Sequence, residues 1–544
     1  MAEIYSGDRC VGFDFETLLI GPGRLAPRGV CLSLYGTKDV PSAVLEAARG
    51  TSGLGVLVTV NEGTSTWEAL FGRDRMVQVL LELLLDEGVV LVGANVAYDL
   101  GVFVADAELM DEDLGYRALA AVCAALDASR IADVLVREKL IDIAFGDMTD
   151  GKSYSLSNVV KRRFGEDLSG DKKAPACLTC AGKGKVTSFT TEGTKLRKSK
   201  TPCGACKGTG LGPEPWRLRY HELDGIPLAQ WPPKAVRYSL EDAQWAVLVA
   251  VDQAGDGVVE RRTSDGELVV ANTGAVVNET AQTWALWSLH LMAVWGLRTD
   301  PGAVDAFIAV TEDEVQKGLR VGQEAGFVRV NNVVDKAALQ LRVVEAYAKK
   351  GKRPPGTAPS GRFPKGQVKT DGDTLKESGD PTLVTYAESG EARTNKSKYV
   401  GFVHMGSKHA MISSPGVLVR TGRTSWAKPP LHQPPRKGLF RECFVPRRGC
   451  VYCSTDWNMA ELVALAQINI WLFGESKMAE SLNAGMDLHL DFAADLLGIS
   501  YEEAVRRKEE RDPDVAMKRQ FAKPANFGFP GGLGARSFVA YARD

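Results

Sequence analysis

The sequence predicts an α/β domain followed by a mostly helical second half. Up to about residue 250, apolar runs of strand length alternate with segments of helical period, the signature of a layered α/β fold. Beyond residue 280 the periodicity is almost entirely helical. Length and composition agree: 544 residues, 44% hydrophobic and 25% charged, are expected of three or four globular domains. Disordered, collagenous and small disulfide-framework chains are excluded.

The elements follow in order. Residues 9 to 35 read as a β-hairpin, with RCVGFDFETLL and GVCLSLYG joined through a Gly21-Pro22-Gly23 turn. A helix is expected over 74 to 87 and a buried strand over 88 to 94. Residues 174 to 212, rich in Gly, Lys, Thr and Cys, interrupt the alternation as an insertion. A weakly patterned stretch over 256 to 280 marks a domain junction. Helices are expected over 280 to 296, 301 to 324 and 335 to 350, then a Pro/Gly/Lys-rich loop over 351 to 366. A strand over 443 to 456 is expected to lead into further helices. The longest apolar stretch, Trp284 to Leu297, is broken by Ser288 and His290. It falls short of the roughly 18 residues of a membrane span. The N-terminus MAEIYSGDRC has no signal pattern. The expectation is a cytoplasmic chain without a membrane partner.

Net charge is -2, from 66 basic and 68 acidic residues, which neither requires nor excludes a nucleic-acid partner. The basic runs Lys161-Arg162-Arg163, Lys195 to Lys200, Lys349 to Arg353 and Arg447-Arg448 read first as solvated segments.

Ten cysteines are too few for a disulfide scaffold. Cys177-x2-Cys180 and Cys203-x2-Cys206 have the spacing of a four-cysteine zinc site. Each pair has the form CxxCxGxG, whose glycines let backbone amides turn toward the thiolates. The pattern resembles the knuckles of the zinc domain in DnaJ-type chaperones, and one pair of knuckles suffices for a single structural zinc. Lys195, Arg197, Lys198 and Lys200 between the pairs put DNA contact within the insertion's repertoire. Cys450 and Cys453 form another CxxC but lack a second pair, and read as buried structural thiols in an apolar strand.

Asp14 and Glu16 lie two apart on one strand and therefore share a face. Asp99 follows the strand 88 to 93, at the C-terminal end where α/β sites gather. Tyr238 and Asp242, four apart where a helix is expected to open, lie on the same side of it. Four such carboxylates can hold two divalent cations, Mg²⁺ or Mn²⁺, roughly 4 Å apart, with Tyr238 orienting the nucleophile.

This set, in this order, resembles the DEDDy 3′–5′ exonucleases, and Ser153 to Gly165 is similar to that family's helix between its second and third motifs. The resemblance implies a ribonuclease H-like exonuclease domain over 1–255, with the zinc element inserted at 174–212.

In the second half, residues 368 to 400 and 417 to 433 resemble the thumb and early palm of family A DNA polymerases, the DNA polymerase I class. Ser454-Thr-Asp456-Trp-Asn-Met-Ala-Glu461 is similar to that family's motif A. The resemblance implies that Asp456 binds the catalytic Mg²⁺ and that Glu461 excludes a ribose 2′-hydroxyl. Asp487-Leu-His489 resembles the D-x-H element, whose histidine contacts the triphosphate. Asp512-Pro513 is a helix start, and beyond it Arg519, Lys523 and Phe527 recur every four residues on one face, matching motif B. Arg423 and Gln433 are the DNA-binding residues implied for the thumb and early palm.

Three positions depart from the pattern. Pro524 removes a helix donor and is expected to kink motif B. Gly531 replaces the usual second aromatic, and His432-Gln433 stands where Gln-Asn is usual. Motif C, a His-Asp-Glu turn with the second metal-binding carboxylate, is not found before Asp544. The resemblance therefore implies a thumb at 280–400, the N-terminal palm at 401–470 and partial fingers at 471–544. A separate chain carrying the rest of the palm is one reading of this, beside a natural end at Asp544, an interruption by an intervening element and an incomplete record.

Without a 5′-nuclease domain, the resemblance is to a phage-type enzyme, working in the host cytoplasm. Implied partners are a DNA primer-template and deoxynucleoside triphosphates. Two alternatives stand beside proofreading synthesis: an exonuclease whose polymerase-like half only grips DNA, and a non-enzymatic DNA-binding replication subunit.

Overall fold

The computed structural model describes residues 10–19, 27–37, 39–49, 57–61, 65–149, 151–168, 183, 185–192, 195–203, 207, 209, 215–255, 258–262, 268–272, 276–359, 363–364, 366–419, 422–435, 439–457, 459–528, 534 and 539. The chain forms two compact units, Met1–Arg448 and Gly449–Asp544.

The first unit is built on a six-stranded sheet. Its strands are β1 (Cys10–Thr17), β2 (Gly29–Thr37), β3 (Leu57–Asn61), β4 (Thr66–Gly72), β5 (Val90–Gly93) and β6 (Ile131–Asp133), in the spatial order β3-β4-β2-β1-β5-β6. The expected hairpin is the antiparallel pair β1 and β2, in which Asp14 faces Ser33 and Glu16 faces Cys31. β4 is antiparallel to β2, whereas β5 and β6 run parallel to β1. The intervening helices are α1 (Ser42–Arg49), α2 (Arg73–Leu85), α3 (Val96–Met110), α4 (Glu112–Asp127), α5 (Val134–Phe145), α6 (Leu156–Phe164) and α7 (Pro233–Ala254).

Alternation along β1 sorts its side chains. Val11, Phe13 and Phe15 enter a core shared with α2, α3 and α4, leaving Gly12, Asp14 and Glu16 for the opposite face. There α6 and α7 pack through Val159, Val160, Ala243, Ala246 and Val247. Gly12 permits this approach, because a Cβ at that position would lie 2.2 Å from the Ala243 carbonyl oxygen.

Two further hairpins belong to this unit. β7 (Lys185–Glu192) and β8 (Lys195–Pro202) form one inside the cysteine-bounded insertion. β9 (Val258–Arg262) and β10 (Leu268–Asn272) occupy the stretch expected as a weakly patterned junction. The helices that follow are α8 (Glu279–Trp295), α9 (Pro301–Glu324), α10 (Lys336–Lys349), α11 (Gly372–Glu377), α12 (Pro381–Lys398) and α13 (Val400–Gly406). Their starts are written in the sequence: Asp300, Asp335, Asp371 and Asp380 each accept a first-turn amide, with Pro301 and Pro381 in the first turn after their caps. α9, α10 and α12 share a core that includes Val315, Phe327, Val343, Leu383 and Tyr386.

The strand expected over 443 to 456 is much shorter. β11 (Arg298–Thr299) pairs with β14 (Phe444–Val445), after the small ribbon of β12 (Ser414–Gly416) and β13 (Ser425–Ala427). Residues 450 to 457 have no regular secondary structure and are exposed, Cys450 and Cys453 included. The reading of those two as buried thiols is thereby corrected. Apolar content favoured a strand, but among the described residues no neighbour supplies that segment's ladder.

The second unit is helical: α14 (Ala460–Phe473), α15 (Lys477–Asn483), α16 (Leu488–Leu497), α17 (Tyr501–Glu509) and α18 (Pro513–Gly528). Leu490, Ala494, Ala504 and Val515 form its small core. α18 starts where Asp512 caps the amide of Asp514 at 2.8 Å, and it continues through Pro524. No described helix is long and apolar enough to cross a membrane.

Candidate active site

One end of the β1–β5 seam gathers the residues expected of the exonuclease site. Glu16 and Asp99 are buried, whereas Asp14, Tyr238 and Asp242 are partly exposed. α7 begins at Pro233, so Tyr238 and Asp242 sit beyond its opening turn rather than at its start. Asp99 occupies the first turn of α3 and accepts the Phe15 amide at 3.4 Å, tying that helix to β1 between Asp14 and Glu16.

The electrostatics record the same convergence. Burial pushes the Asp99 carboxyl well above its usual range, and negative charge on Asp14, Asp133 and Asp242 pushes the same way. Burial also raises the Tyr238 phenol strongly, with Asp242, Glu16 and Asp14 adding to the rise. At neutral pH that phenol keeps its proton and can donate it in a hydrogen bond. An all-carboxylate set suits a hard divalent cation, and mutual repulsion at Asp99 is what such a cation would relieve. Among the described residues, however, no three His, Cys, Asp or Glu side chains converge at coordination distance. A cation would have to draw these carboxylates closer.

Several supporting residues escaped sequence reasoning. Asp133, at the end of β6, accepts the Val96 amide at 2.9 Å as well as the first amides of α5, so it caps two helices at once. Ser33 and Ser239 meet at 2.6 Å beneath the site. Tyr220 is buried, donates its hydroxyl to the Ala235 carbonyl at 2.6 Å and packs 6.3 Å from the Tyr238 ring. Only Asp133, an acid between a strand and a helix, left a signal in the sequence as a cap.

A second cluster lies in the second unit. His489 is buried, with its Nδ1 3.0 Å from Asn526 and its ring 5.1 Å from Phe527. Burial lowers its pKa, and positive charge on Arg519 and Lys523 lowers it further against Asp487. Arg519 pairs with Asp487 at 2.8 Å, as does Lys508 at 3.2 Å. Together they hold the Asp487 carboxyl below its usual range despite its burial. The fold thus brings His489, Arg519, Lys523 and Phe527 together. Asp456 lies in the irregular segment before α14 and Glu461 in the first turn of that helix, both exposed. Among the described residues, no hydrogen bond or ion pair links Asp456 to the His489 cluster.

Arg423 and Gln433 are exposed in the first unit. The Gln433 carbonyl accepts the Tyr399 hydroxyl at 2.9 Å. Cys203 is buried directly after β8, whereas Cys177, Cys180 and Cys206 lie outside the described residues, as does Gly531. The Lys161–Arg163 run is engaged in ion pairs with Asp167, Glu138 and Asp252.

No protein-family model matches the chain, and no curated protein matches it in sequence. Among solved structures the chain is similar to the POL domain of Pol1 from M. smegmatis, determined in complex with DNA primer-template and dNTP. The TM-score is 0.54 at 13% identity, covering 99% of this chain and 71% of that one. At this identity the likeness is one of fold.

Proposed function

We propose that the chain is a DNA polymerase of the polymerase I class, whose ribonuclease H-like sheet domain is a 3′–5′ proofreading exonuclease. The observation that carries the nuclease reading is the meeting of Asp14, Glu16, Asp99, Asp242 and Tyr238 at one end of the β1–β5 seam. The antiparallel β4-β2-β1 run continued by parallel β5 and β6 supports the ribonuclease H-like reading. Mg²⁺ or Mn²⁺ held by the four carboxylates would activate a water and stabilise the leaving 3′ oxygen. Protonated Tyr238 donates to the attacking water's oxygen and fixes its direction. Asp133 and the Ser33–Ser239 pair hold α3 and α7 in place, so a cation has only to draw the four carboxylates closer.

Asp14→Ala is expected to slow digestion of a 5′-labelled single-stranded oligonucleotide by more than the roughly 10- to 100-fold typical of losing a group that only supports a metal ligand. Digestion at the parent rate would overturn the assignment.

For synthesis, Arg519 and Lys523 would meet the triphosphate, His489 and Phe527 the nucleotide, Glu461 the sugar and Asp456 the Mg²⁺. Arg423 and Gln433 would contact the primer-template. Asp456's exposed, irregular setting gives weight to a second reading, an exonuclease whose polymerase-like half only grips DNA. One zinc on Cys177, Cys180, Cys203 and Cys206 belongs to the same proposal. Elemental analysis of chelator-free protein is expected to read one zinc per chain, and none would remove it.

A further inference from the structure

Tyr238 ends a line of packed rings. The Trp216 ring is centred 6.3 Å from Tyr220, and Tyr220 lies 6.3 Å from Tyr238. Because Tyr220 is buried and bonded to the Ala235 carbonyl, it fixes this segment against the first turn of α7. A three-residue helical turn, Trp216–Leu218, is thereby held beside Tyr238, and Arg217 is its middle residue.

Arg217 differs from the arginines around it. Arg219 pairs with Glu222 at 2.7 Å and lies over the Trp216 ring at 4.3 Å. Arg73 pairs with Asp224 at 2.7 Å, and Arg237 with Glu241 at 2.7 Å. Arg217 is exposed and, among the described residues, makes no hydrogen bond or ion pair. Its positive charge nevertheless reaches the Tyr238 phenol, where it acts against Asp242, Glu16 and Asp14. An uncommitted guanidinium at the edge of a carboxylate cluster is placed to meet an anion that enters there.

We propose that Arg217 contacts the DNA substrate in the nuclease site, its guanidinium holding a nonbridging oxygen of the scissile phosphodiester. This role depends on the nuclease reading above, whereas the position of Arg217 beside Tyr238 does not. A planar fork of N–H donors suits phosphate oxygens. Tyr238 aims the attacking water, so a cation on its side of the site stands where a nonbridging oxygen gains charge as attack begins. The water oxygen bonds to phosphorus while the bond from phosphorus to the 3′ oxygen breaks. The water gives up one proton, the departing 3′ oxygen gains one, and a nucleoside 5′-monophosphate leaves. Arg217 keeps its own proton throughout and supplies charge.

Steady-state digestion of a 5′-labelled oligothymidylate of about four nucleotides by the full chain tests the contact. Arg217→Ala is expected to lower kcat about 100-fold, the usual cost of losing a donor aimed at developing charge, with an unchanged urea midpoint. Arg217→Lys should keep part of the rate, since an ammonium retains the charge without the fork. Added guanidinium ion should restore part of the Arg217→Ala rate and none of the Asp14→Ala rate. With sulfur in place of one nonbridging oxygen, one diastereomer should slow the parent and slow Arg217→Ala much less. In EDTA, fluorescence anisotropy across a salt series should show Arg217→Ala flattening the slope of log affinity against log salt by about 0.7, one phosphate contact. Arg117→Ala, exposed on α4 across the sheet, loses the same charge and should match the parent. A parent-like kcat or salt slope in Arg217→Ala, no rescue by guanidinium, an undiminished sulfur penalty, or an equal loss in Arg117→Ala would each overturn the contact. If Asp14→Ala abolishes digestion while Arg217→Ala keeps the parent rate, the nuclease stands and the contact falls. Digestion by Asp14→Ala at the parent rate removes both.

Discussion

Tyr238 lies one helical turn before Asp242, and its phenol is kept protonated by burial and by three neighbouring carboxylates. A donor aimed at an attacking water is a directional element, and losing one such donor typically costs on the order of 100-fold in rate. Tyr238→Phe is therefore expected to lower the digestion rate at saturating DNA by about that factor while leaving affinity for single-stranded DNA unchanged. Equal turnover would assign the ring a packing role only. The residues of this proposed site stand out in the sequence through local spacing, two apart on β1 and four apart on α7, and the fold places them at one end of the β1–β5 seam. Their supports were not. Ser33 and Ser239 are separated by 206 positions, and no local pattern marks two serines that meet only after the sheet and α7 have packed.

Among the elements, α8 shows how burial decides behaviour. Its His290 stacks on Trp287 at 5.7 Å and reaches α3 where Gly101 leaves room. A Cβ at Gly101 would lie 2.1 Å from His290 Nε2. Burial pushes the His290 pKa down to about 4, whereas the unfolded chain protonates near 6.5. The unfolded state thus binds the extra proton between those values. Stability contributed by neutral His290 is complete above about pH 6.5 and declines as pH falls toward 4. Lowering pH from 7.5 to 5 is expected to remove on the order of 2 kcal/mol through this residue. Urea midpoints of the parent and His290→Gln at both pH values isolate it, since buried carboxylates titrate alike in both. Parallel pH dependences would refute the claim. Helices such as α9 and α10 were legible to within a residue or so, because caps and prolines are local. Residues 450 to 457 misled because a strand is a property of two segments, and apolar content reports only one. β9 and β10 were missed for a related reason, since Glu260, Arg261 and Arg262 blur the strand pattern.

For the whole molecule, the two halves of the proposed chemistry differ in completeness. The carboxylates of the proposed nuclease all lie in the first unit, at one end of the β1–β5 seam. In the second unit Asp456 lies in an exposed irregular segment, and α14 leaves Trp471 and Phe473 each 74% exposed. A helix this apolar on every side ordinarily has neighbours on every side, and two-metal phosphoryl transfer uses more than one carboxylate. The 544-residue chain is therefore expected to digest primers without extending them in a primer-extension assay. Extension should appear when a polypeptide bearing a His-Asp-Glu turn is added. Robust incorporation by the 544 residues themselves would show that another carboxylate serves. Motif order is what this expectation rests on, and the likeness of fold to the POL domain of Pol1 from M. smegmatis covers 99% of the chain.

Leu286, Trp287, Val417 and Leu418 share one core with β1, α2, α3 and α4. That continuity sets a clock during synthesis. Val136 leaves the ribosome about 280 residues before Val417, a wait of roughly 14–56 s at about 5–20 residues per second. Throughout it the nascent sheet domain presents an unfinished apolar face to the surrounding solution. The sheet domain, although first to be translated, closes this core only once residue 418 has emerged, and its yield in a cell depends on what shields it meanwhile.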